Sequence, residues 1–204
     1  LPIFREQHGA RPRGQGMVKV AIFHEGNEKK TNDNELLRLL LEKLGLPSEQ
    51  VKFIGMGSKS NFFKVDDKNY RQLKMDIDSE QIGKALFVLD ADYEANDTIY
   101  GGYVNTEKAI QEIIAKLDIA AISDIYITCD ESGCGYLESL VLSTITYERK
   151  KCIEDFLSCS EFKSKENHKA VLNQIYKIGY PKAPFDLEHQ NFDELKLKLK
   201  NLFA

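Results

Sequence analysis

The chain has 204 residues, of which 42% are hydrophobic and 29% are charged, and this composition is typical of a folded globular protein. Its 28 Lys and Arg residues stand against 32 Asp and Glu residues, and the net charge of -4 argues against a general nucleic-acid coat protein. No apolar run approaches the roughly 20 residues of a membrane-spanning helix, and the four Cys residues include no closely spaced pair, so we predict a cytoplasmic protein that does not contact membranes.

The first segment, residues 1–16, differs from the rest of the chain, because it contains three Gly and two Pro and lacks hydrophobic periodicity. We interpret it as a tag-like or disordered leader that ends before Met17. After it we predict an α/β domain over 17–146 and a helical C-terminal extension over 147–204 that packs on the same domain.

Strands and helices alternate through about the first 130 residues. The first strand, over 17–23, is followed by Glu25 and Gly26, and a Leu-rich helix over 34–45 comes next. The third strand, over 85–92, is the most apolar and ends in acids. Such alternation predicts an α/β, Rossmann-like fold with about four mainly parallel strands that are flanked by helices. The other predicted elements are strands over 51–56 and 123–130, helices over 66–77 and 104–117, and a loop over 57–61.

The final third of the chain shows only helical patterns. One long helix is predicted over 135–157, a second over 166–179 and a third over 191–203. These helices make up the end of the α/β domain and the C-terminal extension.

Acidic residues follow three of the predicted strands at their carboxyl ends, where open parallel sheets bind ligands. Crowded carboxylates repel one another, and a hard divalent cation such as Mg²⁺ relieves that repulsion. The Asp-x-Asp spacing suits a metal, because residues i and i+2 of an extended chain point to the same side. The acids are Glu25 after the first strand, Asp90 and Asp92 at the third, and Asp130 and Glu131 at the fourth.

Each of these acids also has a structural interpretation. Glu25 can be a surface-loop acid, and Asp90 and Asp92 can form a turn at the solvated end of a strand. His24, beside Glu25, is interpreted as structural, because neighbouring strand residues point to opposite faces. The combination of the Glu-Gly pair with the Asp-x-Asp pair favours a function over these alternatives.

Two motifs together resemble the TOPRIM domain, which is shared by topoisomerases, bacterial primases and certain nucleases. They are FHEG after the first strand and LFVLDAD along the third. The later segments ITCDESGCGYLES and KAPFDLEHQNFDELK are similar to an uncharacterised bacterial TOPRIM-like family that has a Gly-x-Leu-Glu element after the fourth strand. The resemblance spans residues 17–204.

The resemblance implies nuclease-like, Mg²⁺-dependent phosphodiester or phosphoryl chemistry on a nucleic acid or a nucleotide, with Mn²⁺ as the alternative metal. Asp90 and Asp92 would hold the metal, and Glu25 would act as general acid, general base or further ligand. Glu138 would complete a second metal position, although it can equally be a first-turn acid that the helix dipole favours. The remaining predicted ligand-binding residues are Gly26, Asp130 and Glu131.

Two other functions stay open at this point. A non-catalytic metal- or nucleotide-binding module is favoured because no Lys or Arg directly neighbours Asp90 and Asp92 in the sequence. A nucleotide-sugar transferase also uses an apolar strand that ends in Asp-x-Asp. We interpret Lys59, in the predicted loop over 57–61, as a chance loop residue that could meet a phosphate, and no feature of the sequence indicates a protein partner.

Overall fold

The computed structural model describes residues 19–27, 31–95, 97–159 and 186–204, together with the single positions 171 and 174. Within these residues the chain forms one four-stranded sheet whose strands are all parallel, and helices flank it. The predicted α/β fold is therefore confirmed. The strands are β1 (Lys19–His24), β2 (Val51–Gly55), β3 (Ile82–Asp90) and β4 (Ser123–Thr128).

The described helices lie between and after the strands. Short 3-10 helices over Ser48–Gln50, Ala120–Ile122 and Gln190–Phe192 precede β2, β4 and the last helix. The α-helices are α1 (Asn32–Lys43), α2 (Lys59–Phe62), α3 (Lys68–Asp78), α4 (Tyr103–Leu117), α5 (Leu137–Leu142), α6 (Tyr147–Cys159) and α7 (Asp193–Asn201).

The strand order is β2-β1-β3-β4, so the two central strands are β1 and β3. The chain leaves β1 towards β2 on one side of the sheet and leaves β3 towards β4 on the other. The connections therefore diverge between the carboxyl ends of β1 and β3, which makes this point the topological switch of the sheet.

Both faces of the two central strands are buried, which explains why these strands are apolar almost throughout. On one face, Val20 and Ile22 pack in a cluster with side chains of α1, α5 and α7. On the other, Ala21 and Phe23 pack in a cluster with side chains of α3 and α4. Alternate residues of a strand thus serve opposite layers, as the period of two requires.

In two helices the N-cap residue is not the nearby Asn, Asp or Thr that could also have capped the helix. The N-cap of α1 is Thr31 rather than the Asn and Asp residues that follow it. The N-cap of α4 is Gly102, while Thr106 is fully buried one turn later. The Thr106 hydroxyl donates to the carbonyls of Tyr100, at 2.6 Å, and Ala91, at 3.3 Å, so it ties α4 to the end of β3.

The prediction of a single helix over 135–157 is wrong, because α5 ends at Leu142 and a separate helix, α6, begins at Tyr147. Between them the hydroxyls of Ser143 and Thr144 donate to the carbonyls of Leu140 and Val141 at 2.6 and 2.7 Å. Hydroxyl side chains that bond to nearby carbonyls compete with the helical pattern at such a point.

The C-terminal helix predicted over 191–203 is present as α7, and it packs against the sheet through buried Leu195 and Leu199. The helix predicted over 166–179 lies outside the described residues apart from positions 171 and 174, and the leader over 1–16 lies outside them entirely. The division at residue 146 stays a prediction. None of the described helices is both long enough and apolar enough to cross a membrane.

Candidate functional site

The carboxyl ends of β1 and β3 meet at a contact between Glu25 and Asp90. A carboxylate oxygen of Glu25 accepts a hydrogen bond from the backbone N–H of Asp90 at 2.8 Å, across 65 positions of the chain. The parallel register, which pairs Phe23 with Phe87, carries both chain ends to the same edge. The structure thus places the Glu25 side chain at the topological switch, directly beside the first residue of the Asp-x-Asp pair.

Asp90 itself is buried, with 3% of its surface exposed. Its Oδ1 atom accepts a hydrogen bond from the backbone N–H of Leu137, the first residue of α5, at 3.0 Å. The next residue, Glu138, is 8% exposed and accepts from the side-chain amide of Asn32 at 3.4 Å. Asp90 and Glu138 therefore join the start of α5 to the end of β3 and the start of α1.

Asp92 departs from the geometry that its spacing suggested. The strand ends at Asp90, and Asp92 has a left-handed backbone with a φ of 58°. It forms an isolated antiparallel bridge with Gly135, through N–H to carbonyl bonds of 2.6 and 3.0 Å. The prediction that Asp90 and Asp92 share the geometry of one extended chain is therefore wrong, because the backbone turns between them.

Lys59, which we interpreted from the sequence as a chance loop residue, lies as a cation at this edge. Lys59 begins the short helix α2, and only 8% of it is exposed. Its ammonium lies 3.3 Å from Oδ2 of Asp92 and donates to the carbonyls of Ala91, at 2.7 Å, and Tyr100, at 3.0 Å. The available signal was its place four residues after β2, whose carboxyl end lies at the same sheet edge.

The loop over 57–61 is anchored by the aromatic residue that follows it. Phe62 is fully buried, and the hydroxyl of Tyr70 donates to its carbonyl at 2.7 Å. This anchor gives α2 a defined position and brings Lys59 to the acids. Sequence reasoning missed it because a four-residue helix has no detectable hydrophobic period.

The acids that follow β4 serve a turn. Asp130 accepts hydrogen bonds from the backbone N–H of Ser132, at 2.8 Å, and from the Ser132 hydroxyl, while Gly133 takes a left-handed backbone. Glu131 is exposed on the same turn. This is the hydrogen-bonding pattern of an Asx-turn, so Asp130 has a structural role whatever else it does.

Gly26 is required by packing against the next helix. A Cβ atom at this position would lie 2.1 Å from the hydroxyl oxygen of Thr31, the N-cap of α1. The absence of a side chain at Gly26 is thus used, in this structure, by the N-cap of α1.

His24 is fully buried beside Glu25. The side-chain amide of Asn34 lies 3.4 Å from its Nε2 atom, and burial, with a smaller effect of Arg38, lowers the pKa of His24 to about 4. A neutral imidazole packed against α1 agrees with the structural interpretation of this residue.

The donor chemistry of this edge suits a hard divalent cation, since Mg²⁺ is commonly held by one or two carboxylates together with water and substrate phosphate. Glu25 and Asp90 meet at this edge through the backbone N–H of Asp90, and the Asp90 carboxylate accepts from the backbone N–H of Leu137. Among the residues that the structure describes, however, no three His, Cys, Asp or Glu side chains form a group placed to hold a metal ion.

No protein-family model, curated protein or solved structure matches this chain. The TOPRIM resemblance therefore stays a prediction from the FHEG and LFVLDAD motifs. The structure independently shows an α/β fold in which the two motifs meet through Glu25 and Asp90.

Proposed function

We propose that this protein is TOPRIM-like and performs nuclease-like, Mg²⁺-dependent phosphodiester or phosphoryl chemistry on a nucleic acid or a nucleotide. The observation that carries the proposal is the contact between Glu25 and Asp90 at the topological switch of the sheet. Open α/β sheets bind their ligands in the crevice at this point, outside the carboxyl ends of the strands.

The residues of the edge divide into distinct roles in this proposal. Asp90 and Asp92 would hold Mg²⁺ or Mn²⁺, and Glu25 would accept or return the proton of the attacking group. Glu138, which is buried one residue from the Asp90 contact, is the candidate for a second metal position. When bound, the metal would neutralise charge on the transferring phosphoryl group. Gly26, Asp130 and Glu131 remain peripheral candidates for substrate contact.

The first prediction tests Asp90 as a metal-holding residue. Labelled DNA, RNA and nucleotides are incubated with the protein in Mg²⁺ or Mn²⁺, beside the variants Asp90→Asn and Asp118→Asn. We expect turnover of at least one substrate, a loss of about 100-fold or more in D90N, and an unchanged rate in D118N. A loss of this size is expected when a group that stabilises transition-state charge is removed.

Asp118 is a matched control because it is an exposed Asp at the end of α4. It lies away from the acidic edge, by which we mean Glu25, Asp90 and Asp92 at the carboxyl ends of β1 and β3. Equal rates for wild type and D90N would exclude the proposed role of Asp90.

A non-catalytic metal- or nucleotide-binding module is the second candidate, and one observation favours it. The Lys59 ammonium already donates hydrogen bonds to the carbonyls of Ala91 and Tyr100, and it lies 3.3 Å from the carboxylate of Asp92. A cation with these contacts is not available to bind a phosphoryl group. If calorimetry shows that the protein binds Mn²⁺ and none of the DNA, RNA and nucleotide substrates is turned over, the protein is a non-catalytic binding module.

A further inference from the structure

The helix α6 is the least buried of the longer helices in the described part of the chain. None of its 13 residues, all of which the structure describes, is buried, whereas α4 buries five of its 15 residues. Neither of the two core clusters that flank the sheet includes a residue of α6. A helix of this length is marginal in water by itself, and few buried apolar contacts mean low local stability. The free energy that holds α6 in place is therefore small compared with that of α4.

The apolar face of α6 packs on a small satellite cluster beside the acidic edge. The half-buried residues Ile153 and Leu157 are four positions apart, so they share one face of the helix, and they pack against buried Tyr136 and Leu142. Tyr93 packs against the same cluster, and its ring lies edge-on to that of Tyr136 with the centroids 5.9 Å apart. Two tyrosines thus form much of the surface on which α6 is docked.

Both tyrosines adjoin the backbone that holds two of the acids. The first directly follows Asp92, and the second lies between Gly135 and Leu137. Asp92 and Gly135 form an isolated antiparallel bridge, with N–H to carbonyl bonds of 2.6 and 3.0 Å. The N–H of Leu137 donates to Oδ1 of Asp90 at 3.0 Å. The residues that α6 contacts are therefore covalent neighbours of the groups that fix Asp90 and Asp92.

The environment of Tyr93 also places α6 beside this loop. Burial is the largest effect that raises the pKa of the Tyr93 hydroxyl, and the negative charge of Glu154 in α6 adds to the rise. Release of α6 would expose this side chain to water.

We propose that α6 is a detachable strap that controls the geometry of the acidic edge. When docked, it supports the bridge between Asp92 and Gly135 and the contact of Asp90 with Leu137, and when released, it loosens both. This inference does not depend on the proposed function, because it concerns the backbone that holds the acids and not what the acids bind. Any ligand or partner that binds one of the two states better than the other would shift their populations.

The first test measures amide hydrogen exchange of the wild-type protein by NMR at increasing low concentrations of urea, without metal or substrate. Amides that are exposed by the same opening share one free energy of exchange and one urea dependence. We expect the amides of α6, Asp92 and Leu137 to share such an opening and to exchange about 100-fold or more faster than the buried amides of α4. Exchange of α6 as slow as that of α4, or a different opening free energy for Asp92 and Leu137, would overturn the inference.

The second test releases α6 by substitution. The variant Ile153→Asp with Leu157→Asp places two charges on the docked face of the helix. Its matched control, Cys152→Asp with Ser158→Asp, adds the same charges to the same helix at two exposed residues. The same exchange measurement is made on both variants.

In I153D/L157D, we expect the amides of Asp92 and Leu137 to exchange about 10-fold or more faster than in wild type, while the amides of α4 stay protected. In C152D/S158D they should exchange as in wild type. Wild-type protection of Asp92 and Leu137 in I153D/L157D, with α6 itself unprotected, would show that α6 does not control the acidic edge. If I153D/L157D does not fold, the wild-type urea series decides the question. Because neither test contains metal or substrate, failure of this inference leaves the proposed function in place.

Discussion

Two adjacent residues at the end of β1 have opposite environments. His24 is fully buried and lies against Asn34 of α1, while Glu25 is half-buried and turns to the backbone of Asp90. The alternation of a strand accounts for this division, because successive side chains point to opposite faces. The burial of His24 agrees with its structural interpretation, whereas the sequence did not indicate which helix it would meet.

The burial of His24 predicts an acid sensitivity of the fold. Because folding lowers the pKa of His24 from 6.5 to about 4, the unfolded chain takes up the proton first as the pH falls. The stability that neutral His24 contributes is complete above pH 6.5 and is lost between pH 6.5 and about 4. At pH 4.5 the loss should be about 2–3 kcal/mol.

Urea unfolding at pH 7.5 and pH 4.5 measures this loss in wild type and in His24→Gln. Between pH 7.5 and pH 4.5, we expect the free energy of unfolding of wild type to fall by about 2–3 kcal/mol more than that of H24Q. Parallel pH profiles for the two proteins would show that His24 does not cause the acid sensitivity.

At the level of elements, the end of β3 is held by the helix that follows it. The carbonyl of Ala91 accepts from Lys59, from the backbone N–H of Gly102 and from the hydroxyl of Thr106. The loop that carries Asp92 is thus connected to α2 and to α4. This convergence explains how a residue with a left-handed backbone keeps one position at the acidic edge.

Thr106→Val should destabilise the protein by about 1–2 kcal/mol, because Val has the same shape but cannot donate to the two carbonyls. The matched control is Thr98→Val, since Thr98 is exposed in the loop before α4. Thermal and urea unfolding measure both variants, and T98V should lie within about 0.5 kcal/mol of wild type. Equal stabilities for the two variants would contradict the proposed tie between α4 and β3.

At the level of the whole molecule, α7 belongs to the same core as the central strands. Leu195 and Leu199 are 1% and 0% exposed and pack in the cluster that contains Val20 and Ile22. The last described helix and the first strand therefore stabilise one another, although they lie at opposite ends of the described chain.

Leu199→Ala should lower the free energy of unfolding by about 2–5 kcal/mol, because it removes a fully buried side chain. The control, Leu197→Ala, makes the same substitution in the same helix at a residue that is 58% exposed, and should cost less than about 0.5 kcal/mol. Urea unfolding checks both values. A similar small effect of the two substitutions would show that α7 does not contribute to the core.

Local patterns determined most of the architecture. Three elements, β1, β3 and α1, could be predicted from the sequence alone. Burial requires apolar runs in the two strands and a helical spacing of Leu residues in α1. The meeting of Glu25 with Asp90 was also predictable, because the carboxyl ends of parallel strands share one edge.

Only the tertiary structure decided the partners of Lys59 and Asp92. Their contact depends on the position of the segment after β2, on the buried Phe62 that anchors α2 and on the left-handed backbone of Asp92 after β3. None of these features has a sequence period, because each arises where segments distant in the chain come together in space. The charge balance of the acidic edge is therefore a property of the folded molecule, whereas the presence of the acids there follows from the order of strands and helices along the chain.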